Sequence, residues 1–180
     1  MRQILSKSIT LIGLMGSGKS AIGKMLSERV GLPLSDTDKM IEKEVGKEIP
    51  QIFNDLGERY FRQIEEMVVA RALDDTAHII STGGGSILSP KTRSEIKFKS
   101  CSIWIQCDVN IIAKRILNQE KRPLLSNKNI LNTLIEKNEE RIKFYSQADI
   151  HIMNETSNLE VVVEAIIKNL LFKKVIKNYD

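Results

Sequence analysis

The sequence predicts an α/β fold in which a parallel sheet is covered by helices on both faces. Short apolar runs rich in β-branched residues alternate with longer helical patterns along the 180 residues. Such alternation is typical of parallel strands joined by crossover helices. A glycine-rich stretch, Gly13 to Ser20, also follows the first apolar run directly and opens the first helical pattern. Ligands of these sheets bind beyond the carboxyl ends of the strands, so functional residues are expected in the loops there.

The first elements are a strand, a helix, a second strand and a second helix. The apolar run at residues 8–14 predicts the first strand, and a helical pattern covers residues 19–30. A short apolar run at residues 32–35 predicts the second strand. The helix at residues 39–45 is expected to end at Gly46, since glycine commonly adopts the left-handed conformation after a helix.

The clearest helix lies in the middle of the chain, at residues 58–73. Its apolar side chains fall on one stripe with helical spacing, at Phe61, Ile64, Val68 and Ala72. Pro50 fits the first turn of a separate short helix before it. A buried strand at residues 78–81 follows.

The later elements repeat the same two kinds of pattern. They are a helix from Ser89 and Pro90, a strand at 101–106, a helix at 109–117, a polar loop at 118–129, a helix at 130–146, a strand at 150–153 and a closing helix at 159–177. No repeat or linker divides the chain, so a single domain over residues 1–180 is predicted.

Composition favours a soluble globular protein with an anionic ligand. Apolar residues make up 42% and charged residues 28%, and no apolar run approaches the roughly 18 to 20 residues that span a bilayer. The first apolar run is too short for a signal peptide, so neither a membrane partner nor secretion is expected. The net charge of +4 suits an anion. The basic tail at residues 173–178 lacks interleaved aromatics and is interpreted as a solvated helix end, with no nucleic-acid partner.

The cysteines and histidines carry no predicted chemistry. Cys101 and Cys107 stand at the two ends of one predicted strand, too far apart for a disulfide. We therefore expect both cysteines to be reduced thiols in a cytoplasmic protein. The cysteines and histidines also lack the spacing of metal ligands. His78 and His151 are isolated beside apolar runs and are interpreted as structural or surface residues.

The glycine-rich stretch matches the phosphate-loop pattern G-x-x-x-x-G-K-[ST] in full, between a strand and a helix. Its glycines let backbone N–H groups surround phosphate oxygens, and the following helix adds its positive end. Lys19 is expected to reach the β- and γ-phosphates, and the Ser20 hydroxyl to bind Mg²⁺. The alternative is a glycine turn without function. The pattern indicates a bound triphosphate and says little about the phosphoryl acceptor.

Two aspartates follow the second strand. Asp36 and Asp38 are two residues apart, and in extended backbone both carboxylates face the same side. One can hold a metal-bound water while the other accepts a proton from an acceptor hydroxyl. The alternative is that Asp38 only caps the helix that follows.

The predicted acceptor side also contains arginines. Arg62 and Glu65 are three residues apart on one helix, where Glu65 can orient an arginine that binds a carboxylate. Glu66 is an equally feasible partner, and an ordinary surface ion pair is the simpler interpretation. By spacing alone, Arg141 is a solvated helix residue.

A glycine triplet and a basic loop complete the candidates. Gly83, Gly84 and Gly85 follow a buried strand, which suggests a close approach to the backbone, although a loop turn is the alternative. Arg122 lies in the polar loop, where it can close over the phosphates and exclude water.

These motifs, in this order, resemble those of the shikimate kinase family, from about Ile9 to the final helix. The motifs are GLMGSGKS, SDTD, FRQIE, GGG, RPLL and the R-x-x-x-Y of RIKFY. The resemblance implies a nucleoside-monophosphate-kinase-like P-loop fold of three α/β/α layers, with a five-stranded parallel sheet and a lid over about residues 118–129. It also implies ATP-dependent, Mg²⁺-supported phosphorylation of the 3-hydroxyl of shikimate, in aromatic amino-acid biosynthesis.

The resemblance assigns a role to each motif. ATP phosphates are held by Gly16, Ser17, Gly18, Lys19, Ser20 and Ala21, adenine is flanked by Arg115, and the lid supplies Arg122. Mg²⁺ is bound by Ser20, with Asp36 acting through water, and the catalytic residues are Asp38 as base, Lys19 and Arg122. Shikimate is bound by Asp38, Arg62, Gly83, Gly84, Gly85 and Arg141, with Glu65 bracing Arg62.

One segment departs from some family members, and several other functions compete. Residues 154–158 contain no arginine, so adenine is expected to be held by backbone groups and Arg115. A gluconate or nucleoside-monophosphate kinase of the same architecture is the nearest rival. A GTPase lacks support because the stretch at 127–130 has no acid to pair with guanine. A non-catalytic nucleotide- or nucleic-acid-binding module does not need Asp38. A monomer is expected.

Overall fold

The computed structural model describes residues 4–117, 127–156 and 158–177. The strands are β1 (Ile4–Leu5), β2 (Ser8–Ile12), β3 (Leu34–Asp36), β4 (Ile79–Ser81), β5 (Ser100–Gln106), β6 (Ile150–Met153) and β7 (Ile176–Lys177). The α-helices are α1 (Lys19–Val30), α2 (Thr37–Val45), α3 (Ile49–Asp74), α4 (Pro90–Lys99), α5 (Val109–Leu117), α6 (Asn127–Tyr145) and α7 (Leu159–Phe172). A short 3₁₀ helix covers Ser86–Leu88.

The main sheet has five parallel strands in the order β3-β4-β2-β5-β6, as predicted. Alternate residues of β5 show how both faces are covered. Ile103 and Ile105 pack with the core that α1 and α7 share, whereas Trp104 packs with α3, α4 and α6. This is the predicted three-layer α/β/α arrangement. Because β4 lies between β3 and β2, the loops after these three strands meet at one edge of the sheet.

The helix ends follow local rules. Gly46 ends α2 with φ of 71°, and its N–H donates to the Glu42 carbonyl at 2.9 Å. The N-cap of α2 is Asp36, whose Oδ1 accepts from the N–H of Asp38 at 3.2 Å and of Lys39 at 3.3 Å. The interpretation of Asp38 as the cap was therefore wrong. Asp36 satisfies these amides, so Asp38 does not serve as the helix cap.

The predicted boundaries of the middle helix and of the closing helix were wrong. The short helix at Pro50 and the helix at 58–73 form one element, α3, bent at Gly57, where φ is 81° and ψ is 164°. The closing helix ends at Phe172, and the chain turns back at Lys174, with φ of 57°, into β7. β7 pairs with β1 in an antiparallel sheet. Val175 and Ile176 are buried in the core, so the tail is not a solvated helix end.

The predicted lid falls largely outside the described residues. Residues 118–126 are not described, and they include Arg122 and the RPLL motif. Helix α6 begins at Asn127, three residues before the predicted helix start. Within the described ranges, no helix combines the length and the apolarity required to cross a membrane.

Candidate active site

A cleft of about 1100 Å³ lies at the carboxyl edge of the sheet. Its walls come from the phosphate loop and the start of α1, from the end of β3 and α2, from the loop after β4, from helices α3, α5 and α6, and from the segment after β6. The predicted site residues that line it are Gly16, Gly18, Lys19, Ser20, Ala21, Asp36, Asp38, Arg62, Gly83, Gly84, Gly85, Arg115 and Arg141. Ser17 does not line the cleft, because it is fully buried beneath the loop and its N–H donates to the Leu14 carbonyl at 3.2 Å.

The phosphate loop takes its shape from glycines in conformations that other residues rarely adopt. Gly16 and Gly18 have φ of 74° and 99°, and Gly18 immediately precedes α1. Lys19 is only 7% exposed, and its Nζ donates to the carbonyls of Gly13 at 2.8 Å and Leu14 at 2.9 Å. Burial lowers the pKa of Lys19 to about 8, although Asp38 and Asp36 oppose the shift.

We expect nucleotide affinity to fall as the pH rises above about 8, because the Lys19 ammonium then loses the charge that attracts phosphate. Loss of one proton limits the fall to about tenfold per pH unit. The dissociation constant of ADP, measured by calorimetry between pH 7 and pH 10, tests this prediction. An affinity that stays constant over this range would contradict it.

The stability of the fold has the opposite pH dependence. The pKa of Lys19 is lower in the folded protein than in the unfolded chain, where it is 10.5. Between these values the unfolded chain binds more protons, so this residue makes the free energy of unfolding rise with pH. Thermal melts at each pH therefore separate weaker binding from unfolding.

Ser20 and Asp36 form a pair of oxygen ligands at the mouth of the cleft. The Ser20 hydroxyl donates to Asp36 Oδ2 at 2.8 Å, while Asp36 Oδ1 caps α2. Hydroxyl and carboxylate oxygens are ligands that Mg²⁺ accepts in phosphoryl-transfer sites. The pair fits the metal predicted there.

Asp38 also lines the cleft, two residues after Asp36. Burial raises its pKa, the negative charge of Asp36 adds to the shift, and Lys19 opposes it. Its Oδ1 is buried without a hydrogen-bond partner among the described residues. A carboxylate with a raised pKa and a free oxygen is suited to take a proton from a hydroxyl.

Arg62 is held by carboxylates of its own helix. Its Nη1 donates to Glu65 Oε2 at 2.7 Å, and its Nη2 donates to Glu58 Oε1 at 3.1 Å. Glu65 is only 3% exposed, and burial raises its pKa despite the charge of Arg62. The predicted pair is present and is not an ordinary surface ion pair. Glu66, the alternative partner, instead accepts from Ser89 at 2.7 Å.

The glycine triplet provides space rather than an unusual backbone conformation. A Cβ at Gly83 would lie 2.6 Å from Asp38 Oδ1 and 2.7 Å from Glu65 Oε1. A Cβ at Gly85 would overlap the Arg62 guanidinium, and one at Gly84 would lie 3.0 Å from the Met15 nitrogen. The predicted close approach is therefore made by side chains and backbone of the site itself.

Arg141 is buried, so its interpretation as a solvated helix residue was wrong. It is 3% exposed, and its Nη1 donates to the Gly84 carbonyl at 3.2 Å. The Tyr145 hydroxyl donates to the same carbonyl at 2.5 Å, and its ring stacks on Trp104. Lys137, one helical turn before Arg141, also lines the cleft and was not singled out from the sequence.

Arg115 of α5 also lines the cleft, where it contacts the segment after β6. Its Nη2 donates to the carbonyls of Asn154 at 3.1 Å and Thr156 at 3.3 Å, and its Nη1 contacts Cys107 Sγ at 3.5 Å. Cys107 and Cys101 are free thiols, as predicted. Asn154 was missed in the sequence, although it directly follows a strand, where functional residues were expected.

Known proteins share this sequence and this architecture. The shikimate kinase family model matches residues 15–171. The shikimate kinase of Caulobacter vibrioides is 39% identical over 165 residues, which are 92% of this chain and 82% of that protein. The chain belongs to the shikimate kinase family. The resemblance predicted from the motifs is confirmed.

Solved shikimate kinases have the same fold. The enzyme from Acinetobacter baumannii, in complex with shikimate, gives a TM-score of 0.87 at 29% identity and covers 94% of this chain and 95% of its own. The shikimate kinase from Aquifex aeolicus gives a TM-score of 0.82 at 35% identity, and the match covers 93% of this chain and 98% of that enzyme. These shikimate kinases confirm the predicted P-loop kinase fold.

Proposed function

We propose that this chain transfers the γ-phosphoryl group of ATP to the 3-hydroxyl of shikimate and releases shikimate 3-phosphate and ADP. The observation that carries the proposal is one cleft with two halves. A phosphate loop with a buried lysine forms the first half, and Asp38 with Arg62 and Arg141 forms the second. Membership of the shikimate kinase family supports the choice of acceptor.

The donor half binds the triphosphate. Backbone N–H groups of the loop and the N-terminus of α1 face the phosphates, and Lys19 pairs with the β- and γ-phosphates. Ser20 would hold Mg²⁺ directly and Asp36 through water; when bound, the ion neutralises phosphate charge. Arg122 of the predicted lid, outside the described residues, is proposed to exclude water and to stabilise the transferring group.

The acceptor half binds a small anion that carries hydroxyls. Arg62 and Arg141 both line the cleft beside the glycine triplet, and their guanidinium groups are suited to a carboxylate. Glu65 Oε2 accepts a hydrogen bond from Arg62 Nη1 at 2.7 Å and so fixes the orientation of the Arg62 guanidinium. Shikimate, with one carboxylate and several hydroxyls, has the groups that these arginines and Asp38 are suited to bind.

The proposed reaction moves one proton and one phosphoryl group. Asp38 takes the proton of the acceptor hydroxyl as that oxygen forms its bond to the γ-phosphorus. The bond from the γ-phosphorus to the bridging oxygen breaks, and the charge that develops on ADP is stabilised by Lys19 and the loop N–H groups. Burial of Asp38 and Lys19 strengthens both effects, because water screens them little.

The test is an ADP-release assay with shikimate, gluconate, AMP and water as separate acceptors. Shikimate is expected to accelerate ADP release far above the rate with water, with one equivalent of shikimate 3-phosphate formed per ADP. A Lys19→Met variant is the control for contaminating ATPase activity. No acceleration by shikimate, or faster release with gluconate or AMP, would overturn the proposal.

We also propose that the protein acts as a cytoplasmic monomer and a single domain. Described residues of a single chain line both halves of the cleft. Free Cys101 and Cys107 suit a reducing compartment.

A further inference from the structure

We propose that Asn154 is a positioning residue for the nucleotide, which fixes the orientation of the peptide between Ser17 and Gly18 in the phosphate loop. This inference rests on the proposed function for its view of the cleft as an ATP site. Asn154 is 1% exposed, and its Nδ2 donates to the Ser17 carbonyl at 2.7 Å. The contact joins the end of β6 to a loop 137 residues earlier in the chain.

The geometry of a peptide explains why this hydrogen bond affects phosphate binding. The carbonyl of Ser17 and the N–H of Gly18 belong to one planar trans peptide and point in opposite directions. A donor that holds the carbonyl on the buried side therefore holds the N–H on the side of the cleft. That N–H belongs to the set that surrounds phosphate oxygens in this kind of loop.

The residues around this peptide make such a restraint necessary. Gly18 has φ of 99°, and glycine lets a peptide rotate with little steric resistance. Ser17 is fully buried, so without Asn154 its carbonyl loses the partner that replaces water. A Cβ at Gly18 would lie 2.6 Å from Asn154 Nδ2, so the glycine also makes room for the amide.

Asn154 is itself held by groups on two other elements. Its backbone N–H donates to the Gln106 carbonyl at the end of β5, at 2.7 Å. Its own carbonyl accepts from Arg115, the residue proposed to flank adenine, at 3.1 Å. Asn154 thus links Arg115 to the phosphate loop. Although residues 154–158 lack arginines, we infer that Asn154 supports nucleotide binding indirectly, by holding Arg115 and the Ser17 carbonyl.

The test is the Asn154→Leu substitution, which keeps the approximate size of the side chain and removes the donor. The affinity for ADP is expected to fall about tenfold. The affinity for shikimate, measured without nucleotide, should stay within twofold of wild type. Adenosine, which has no phosphate, should lose less affinity than ADP.

The matched control is Asn169→Leu. Asn169 Nδ2 also donates to a backbone carbonyl, that of Ala165 at 2.8 Å, but within α7 and away from the cleft. Asn169→Leu is expected to leave ADP affinity unchanged. If Asn154→Leu does not fold, Asn154→Ser, whose side chain is too short to reach Ser17, should give the same split between ADP and shikimate.

Unchanged ADP affinity in these variants would overturn the inference, as would equal losses for ADP and adenosine. Because ADP binding does not depend on the acceptor, these results are independent of the acceptor assay. If the wild-type protein is an active shikimate kinase and Asn154→Leu binds ADP normally, this inference alone is contradicted. If the wild-type protein shows no shikimate kinase activity, the proposed function is contradicted, and the ADP affinity of the variants still tests the role of Asn154.

Discussion

Asp38→Asn is expected to lower kcat by about 10²- to 10⁴-fold, the range that a general base contributes. Asparagine has nearly the same size as aspartate and keeps an oxygen in the cleft, but it takes no proton from a hydroxyl at neutral pH. The dissociation constant of ADP should change little, because the loop and Lys19 bind the phosphates. Steady-state kinetics with shikimate and calorimetry with ADP measure the two quantities.

The pH profile and the stability of the variant provide further readouts. Burial raises the pKa of Asp38, so kcat of the wild type should fall as the pH drops through that raised value. The folded protein binds this proton more tightly than the unfolded chain, so ionised Asp38 destabilises the fold at neutral pH. Asp38→Asn is therefore expected to keep or raise the melting temperature while activity is lost.

The matched control is Glu42→Gln. Glu42 lines the same cleft and its charge acts on Asp38, so its substitution also removes one negative charge there. It is expected to leave kcat within a few-fold of wild type. Near-normal kcat in Asp38→Asn, or a comparable loss in Glu42→Gln, would remove Asp38 as the base.

The central part of the fold could be predicted because its signals are local. Strands buried on both faces, such as β2 and β5, contain short apolar and β-branched runs that differ from the helical patterns beside them. β1 and β7 have two residues each, which is too short for any periodicity. The closing helix was extended too far because apolar residues continue past Phe172, although Val175 lies in the turn before β7 and Ile176 in β7 itself.

Site residues could be predicted from the sequence only where both partners of a contact lie within one short motif. The phosphate loop is continuous in the sequence, and Arg62 and Glu65 lie one turn apart. Arg141 was misjudged because the spacing of a helix does not show which face meets the end of the sheet. Asn154 was missed because its partner, Ser17, is 137 residues away.

Arg62→Ala is expected to weaken shikimate binding at least about 30-fold, which corresponds to the loss of about 2 kcal/mol that truncating a charged pair causes. The KM for ATP should stay near wild type, since the phosphates lie in the other half of the cleft. A second effect is on stability. The substitution leaves the buried Glu65 carboxylate without its partner. The free energy of unfolding is expected to fall by about 3 kcal/mol, near the lower end for a broken buried ion pair, because the Arg62 side chain is about a third exposed.

The double substitution Arg62→Ala with Glu65→Gln separates these two effects. It removes the unpaired carboxylate, so the free energy of unfolding should recover, while shikimate binding should stay weak. Arg71→Ala is the control on the same helix, since Arg71 pairs with Glu44 at the surface and lies outside the cleft. Recovery of shikimate affinity together with stability in the double variant would mean that Arg62 only neutralises Glu65. Persistent loss of shikimate affinity in a stable protein would support Arg62 as a ligand of the shikimate carboxylate.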